Sequence, residues 1–421
     1  MRIDTGRLAA RFALLAGATA TLLSATLLSA TAGAAAASPG GPIGTILDSG
    51  ATGAIGNSYI VVLPPGAAGV ASASARLTQR YGGQVVDNYQ ATVRGFHARM
   101  TARQAGRLAA DPAVQYVEQD ATVNLASTTK QAGPIWGLDR IDQQALPLSK
   151  SYSAGSAAGV TAYVLDSGIR ISHREFGGRA SNGWDFIDRD PIADDCNGHG
   201  THVAGTIGGS TYGVAKDVKL VGVRVLDCEG YGAFSAMIAG IDWVTAHASL
   251  PAVANMSIGS DPSRALDDAV NRSIAKGITY AVAAGNDNKD ACGQSPADAP
   301  AAITVGAVDS SDRRASFSNY GRCLDLFAPG VRIKSASKSS NAATEFMSGT
   351  SMASPHVAGA AALVLGAHPG WTPAKVRDEL VAHAGAGLVR SAGSGSANKL
   401  LYTGFLNTAF SNTSAGATAH R

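Results

Sequence analysis

Five short apolar runs, at 160–165, 219–225, 253–257, 278–283 and 303–307, recur along the chain, with stretches of helical character between them, including 234–247 and 265–276. A largely apolar run of that length reads as a strand. Strands that alternate with helices cross over and lie parallel. Residues 126–406 are therefore expected to form an α/β domain, a mostly parallel sheet covered by helices on both faces. A site in such a sheet sits at the carboxyl ends of the strands. The hydrophobic share of 45% can fill that architecture and excludes a mostly disordered chain. A net charge of +3 without any Lys/Arg run gives no reason to expect a nucleic-acid partner.

The flanks read differently. Arg2, Arg7 and Arg11 precede an apolar run from Phe12 to about Ala37, and Ala34–Ala37 has the small-residue character of a cleavage region. Residues 1–37 thus read as a secretory signal rather than an anchor, so the protein is expected to be secreted and extracellular, without stable membrane association. No adjacent Arg pair marks a twin-arginine route. Residues 38–57 read as a Gly/Ser/Thr/Pro-rich linker and 407–421 as a flexible tail. Between them, 58–125 carries strand candidates at 59–63, 84–89, 96–100 and 114–118, and helix candidates at 70–81 and 101–110. Thr101 is a suitable N-cap and Asp111–Pro112 a stop. The βαββαβ order is that of a small α+β ferredoxin-like unit with a short last strand.

In a secreted chain, Cys196, Cys228, Cys292 and Cys323 read as disulfides, although buried free thiols are the alternative. Three pairings exist. The compact one joins Cys196 to Cys228 and Cys292 to Cys323, each closing a loop of about thirty residues worth roughly 3–4 kcal/mol. No C-x-x-C spacing suggests zinc.

Three clusters carry chemistry. An apolar strand ends in Asp166-Ser-Gly-Ile. His199 and His202 lie in Asn197-Gly-His-Gly-Thr-His, where no third ligand-like group suggests a metal. Ser351 opens an Ala/Gly/Val/Leu helix, apolar all round, in which Pro355 is read as a first-turn residue. A serine hydroxyl needs an imidazole to take its proton, and the imidazole needs a carboxylate to fix its tautomer. Asp166, His199 and Ser351 supply those three types. A helix N-terminus offers a backbone N–H to an oxyanion, and Asn286, after a strand, is the candidate second donor.

With Asp166-Ser-Gly-Ile, His199-Gly-Thr-His-Val-Ala-Gly, Ala284-Gly-Asn286 and Gly349-Thr-Ser351-Met-Ala-Ser-Pro-His in this order, residues 136–406 resemble the subtilisin-like serine proteases, most closely the proteinase K and aqualysin-like branch. Residues 58–125 resemble the inhibitory propeptide of those enzymes. The resemblance implies a secreted, self-processing endopeptidase, monomeric when mature, whose partners are protein and peptide substrates and its own propeptide. It implies the compact disulfide pairing. It implies substrate added as a strand between Gly230, Gly232 and Phe234 on one side and Ser257, Ile258 and Gly259 on the other, with Ala283, Ala284 and Gly285 walling the primary pocket. No carboxylate occurs in those segments, unlike the kexin-type relatives, so cleavage after apolar or aromatic residues is expected. Structural calcium is implied at Asp325 with the carbonyls of Pro300 and Ala302, and at Asp139, Asp142 and Gln143. The propeptide is expected to leave its C-terminal strand, near Asp120 to Leu125, in the active-site cleft as an inhibitor, with autocleavage between about 125 and 129. A lipase is disfavoured because Ser351 lacks a G-x-S-x-G elbow. His199 and Asn286 exclude the sedolisin relatives, which resemble subtilisins with Glu and Asp at those places. The remaining alternative is a dead secreted binding or inhibitor protein on the same scaffold.

Overall fold

In the computed structural model, residues 42–50, 54–66, 69–125, 135–153 and 155–406 are described. The signal, the tail, part of the linker and the stretch after Leu125 that holds the expected cleavage bond lie outside them.

The first domain contains β1 (Ile46–Leu47), β2 (Ala54–Val62), α1 (Val70–Tyr81), β3 (Gln84–Tyr89), β4 (Gly95–Arg99), α2 (Ala102–Ala109) and β5 (Tyr116–Leu125). Its sheet order is β1-β5-β2-β4-β3, antiparallel except for β1 against β5. Thr101 caps α2 in a box with Gln104. Leu77, Phe96, Leu108 and Val117 fill a core between the two helices and one face of the sheet. Two expectations change here. Ile46 and Leu47, read as linker, pair with Val117 and Glu118 of the sheet. The last strand is not short: β5 runs ten residues, because its second half finds partners outside its own domain.

The second domain follows as α3 (Gly137–Ile141), β6 (Thr161–Asp166), β7 (Ala180–Asp185), α4 (His199–Gly208), β8 (Lys219–Arg224), β9 (Tyr231–Ala233), α5 (Phe234–His247), β10 (Ala252–Met256) and β11 (Ile258–Gly259). It continues with α6 (Arg264–Ile274), β12 (Ile278–Ala283), β13 (Ile303–Val308), β14 (Leu326–Pro329), β15 (Ile333–Ala336), β16 (Thr344–Met347), α7 (Thr350–Ala367), α8 (Pro373–His383), β17 (Gly385–Ala386) and β18 (Lys399–Leu400). The main sheet runs β17-β18-β14-β13-β12-β10-β6-β8-β7, with every pair parallel but the first. Side chains alternate across it. Val164 joins the core under α4 and α7, while Tyr163 and Leu165 join the core under α5 and α6. The chain enters the sheet at β6, which lies between β8 and β10, so the crossovers diverge beside it. That crevice is where such sheets hold ligands.

The first domain docks on α5 and α6 through carboxylates. Asp120 accepts from Ser235 N at 3.1 Å and Ser235 Oγ at 2.8 Å, at the N-terminus of α5. Glu118 accepts from Ala265 N at 2.8 Å and from the Ser263 hydroxyl, at the N-terminus of α6. Both place a carboxyl group at the positive end of a helix dipole, where first-turn donors meet it. In return Asp242 of α5 accepts from Ala91 N at 2.8 Å and Thr92 N at 2.7 Å.

Candidate active site

Asp166 ends β6 beside the crevice, wholly buried, and its Oδ1 lies 2.8 Å from His199 Nδ1. The Ser167 N–H donates to the same oxygen at 2.8 Å. The carboxylate therefore holds the imidazole with Nδ1 protonated and Nε2 left as the base. His199 is the first residue of α4. Room for it depends on Gly200, where a Cβ would come within 2.1 Å of the Gly168 carbonyl oxygen.

A buried acid that sequence reading missed holds this corner. Asp195 Oδ1 accepts from Ser167 Oγ at 2.9 Å, Asn197 N at 3.0 Å and Gly198 N at 2.7 Å. Its Oδ2 accepts from Thr201 N at 2.8 Å and Thr201 Oγ1 at 2.5 Å. It thus ties the turn after Asp166 to the start of the histidine helix. Burial raises the Asp195 pKa, against the five bonds that favour its charge. Nothing local marked it, since an Asp two residues before Asn-Gly looks like part of any turn.

Ser351 is the second residue of α7 and is buried. Its hydroxyl donates to the Ser257 carbonyl at 3.1 Å, while His199 Nε2 has no hydrogen-bond partner among the described residues. The Asp–His half of the relay is closed and the His–Ser half is open. Asn286 is oriented by Thr350, whose N–H and hydroxyl donate to its Oδ1 at 2.8 and 3.0 Å. Its buried Nδ2 has no partner among the described residues and so remains available for an oxyanion. Pro355 is not in the first turn as expected. The helix starts at Thr350, and the proline is its sixth residue.

The first domain's last strand lies in the cleft. Thr122, Val123 and Asn124 pair antiparallel with Ala233, Gly232 and Tyr231, and Asn124 and Leu125 pair with Gly259 and Ile258. One strand thus bridges β9 and β11, the two segments expected to grip substrate. Gly230 makes the turn into β9 at φ +89°. Phe234 starts α5 with its ring buried in the core. Ser257 follows β10. Ala283 ends β12 and Ala284 follows it, with the Ala284 carbonyl held by Asn319 Nδ2 at 2.9 Å. Gly285 donates to Thr350 Oγ1 at 3.1 Å, and a Cβ there would strike Gln294 and Asn319. Asp287, just beyond, accepts from Gln294 Nε2 at 2.6 Å.

Disulfides join Cys196 to Cys228 and Cys292 to Cys323. The first anchors the loop that leads to His199.

For calcium, Pro300, Ala302 and Asp325 line one cavity of about 240 Å³. Asp325 Oδ2 accepts from Thr304 N at 2.8 Å, and burial raises its pKa. Arg377 Nη1 donates to the Pro300 carbonyl at 2.8 Å, so a cation there competes with a guanidinium. At the second set Asp139 accepts from Ser149 Oγ and Lys150 N, and the Gln143 side chain closes the turn to Ala145 and Pro147. Asp142 Oδ1 is buried with no partner among the described residues, and burial raises its pKa. Both donor sets are hard oxygens suited to calcium. No group of three or more His, Cys, Asp or Glu side chains gathers as a metal cluster among the described residues.

A carboxylate-fixed imidazole, a serine at a helix start, an oriented amide and a strand laid beside them define a serine hydrolase that acts on extended peptide. Residues 157–403 match the subtilase family and 58–126 match the peptidase inhibitor I9 family. The chain is 55% identical over 325 residues to the "extracellular serine proteinase" of Thermus sp. (strain Rt41A), covering 77% of this chain and 79% of that protein. It is 51% identical to the "alkaline serine exoprotease A" of Vibrio alginolyticus, over 78% of this chain and 62% of that longer protein. A crystal structure of a cold-adapted subtilisin-like serine proteinase superposes with a TM-score of 0.63 at 55% identity, covering 65% of this chain and 99% of that one. The chain belongs to the subtilase family. It is a subtilisin-like serine endopeptidase carrying an I9 inhibitor-type prodomain.

Proposed function

We propose that this chain is the zymogen of a secreted endopeptidase of broad specificity, favouring apolar or aromatic residues before the cleaved bond. Ser351 attacks the scissile carbonyl after turning from Ser257 toward His199 Nε2. His199 takes its proton and passes it to the leaving amine, while Asp166 orients the ring and stabilises its charge. Asn286 Nδ2 and the Ser351 N–H hold the oxyanion. The observation that carries this reading is β5, a peptide strand bound across β9 and β11 beside the buried Asp166–His199 pair. Secretion is supported by the basic-then-apolar N-terminus and by relatives named as extracellular. No helix among the described residues is long and apolar enough to cross a membrane. The small, uncharged Ala283–Gly285 wall supports the apolar preference. Calcium, bound at the Asp325 and Asp142 sites, would crosslink loops and stabilise the fold without entering the reaction.

The test compares intact masses of the secreted protein and of Ser351→Ala, each exposed to a fluorophosphonate. The wild type is expected to begin near residue 126 and to be labelled at Ser351, and the variant to keep its prodomain unlabelled. Failure of the wild type to process or label refutes the reading. For specificity, a peptide library should show apolar or aromatic residues before the cut. A strong preference for Arg or Lys overturns that part alone.

A further inference from the structure

Pro355 interrupts the hydrogen bonding of α7 at the residue that matters most. Having no N–H, it cannot donate to the Ser351 carbonyl four residues earlier. A buried carbonyl without a partner is costly, and here a side chain takes the missing donor's place. The Ser257 hydroxyl donates to Ser351 O at 2.7 Å. That hydroxyl accepts in turn from Asn255 Nδ2 at 2.9 Å, and Asn255 Oδ1 accepts from Ser354 Oγ at 2.8 Å. Asn255, Ser257, Ser351 and Ser354 are all fully buried. The ring therefore leaves α7 at Ser351, crosses to the end of β10, and returns to α7 one turn later.

We propose that Asn255, Ser257 and Ser354 are positioning residues for Ser351, the Ser257 hydroxyl standing in for the main-chain donor that Pro355 lacks; the proposal rests on Ser351 being the nucleophile. The carbonyl orientation of Ser351 fixes the backbone angle of that residue and hence the direction of its Cβ and hydroxyl. A regular helical bond would set that angle from within α7 alone. Here it is set from β10, whose continuation, β11, pairs with the strand in the cleft. The element that seats the peptide and the residue that attacks it are thereby locked to one another. The Ser351 side chain can still turn about its Cα–Cβ bond, because the lock acts on its backbone.

The experiment is a double-mutant cycle on the full chain, secreted and self-matured, with Ser257→Ala, Pro355→Ala and the double variant. Rates are normalised to fluorophosphonate-titrated sites, and kcat and KM for a peptide substrate are separated. Ser257→Ala is expected to lower kcat about ten- to hundredfold with KM within about threefold, since truncation leaves the substrate backbone contacts in place. Pro355→Ala restores an N–H four residues after Ser351. In that background the Ser257→Ala penalty is expected to shrink to less than about threefold. A purely structural role would give the same loss in both backgrounds, and that additivity overturns the proposal, as does an unchanged kcat in Ser257→Ala. Should Ser257→Ala not mature, the double variant must. Failure of both while Pro355→Ala matures also overturns it. A wild type that is neither active nor labelled refutes Ser351 as nucleophile, and the positioning proposal falls with it.

Discussion

Glu118 is expected to make the prodomain's grip on the enzyme depend on pH. In the docked state its carboxyl is buried at the start of α6, and its pKa is raised from the usual 4.5 to about 7. Desolvation is the largest cause. The Ser263 and Ala265 donors oppose it, and Asp48 and Asp120 add to it. Nearby, Asp267 on α6 is raised by burial and by the Asp298 carboxylate beside it, and burial raises Asp298 as well. A pKa raised on docking means that the complex takes up a proton. Its stability is thus fullest below the free value and is lost as pH rises through the docked one. At pH 6 the docked carboxyl is mostly protonated and the free one mostly ionised, which favours the complex about tenfold over its strength at about pH 8.5. The change Glu118→Gln imitates the protonated acid and should flatten the dependence while preserving tight binding at high pH. The assay is the inhibition constant of added prodomain against titrated mature enzyme from pH 6 to about pH 8.5, in wild-type and variant prodomains. A wild-type constant that does not move, or a Glu118→Gln prodomain with the same pH slope as the wild type, would refute the reasoning.

Asn286→Ala should lower kcat by ~10²–10³ with little change in KM, because its Nδ2 has no partner among the described residues and would gain one as charge develops on the carbonyl oxygen; a larger effect on KM than on kcat would contradict that role. Chelation of the mature enzyme should lower its melting temperature, and Asp325→Asn or Asp142→Asn should each remove part of the calcium-dependent stabilisation; equal melting temperatures with and without calcium would refute both sites. Replacing Cys196 and Cys228 by Ser should cost ~3 kcal/mol and shorten the half-life on heating; an unchanged half-life would mean that the His199 loop is held without the crosslink.

The parts of the site that could be named from the sequence are those whose role follows from residue type and local context. Asp166 ends an apolar run, His199 lies in a Gly-flanked His-Gly-Thr-His cluster, Ser351 stands at the start of an apolar helix, and Asn286 follows a strand. Helix α5 and strand β12 have the expected bounds because their apolar patterns are strong and their ends abrupt. What stayed hidden depends on partners distant in sequence. Asp195 is a turn residue until Ser167 and Thr201 are brought to it. Ser257 and Asn255 are ordinary polar residues until the start of α7 is placed over them. The full length of β5 could not be read from the pattern of its own domain, because residues 122–125 are paired by the other one, and only the resemblance to an inhibitory propeptide put a strand there. Strand β7 is mostly polar, β14 is apolar but only four residues long and ends in proline, and β15 and β16 are four residues each with polar positions, so none carries a period strong enough to be seen.

That strand belongs to two sheets at once, and this governs how activity first appears. Cutting the chain after β5 removes a covalent link but none of the ladder that holds β5 to β9, β11 and β2. Each newly cut molecule is therefore expected to stay silent, plugged by the far end of a strand that belongs to the first domain's own sheet. Release requires either lifting the whole domain or breaking it, and breaking it is a task for a molecule already open. The onset of activity in a population is then self-accelerating. A lag that shortens as protein concentration rises, or as a trace of mature enzyme is added, turns a single geometric fact into a clock.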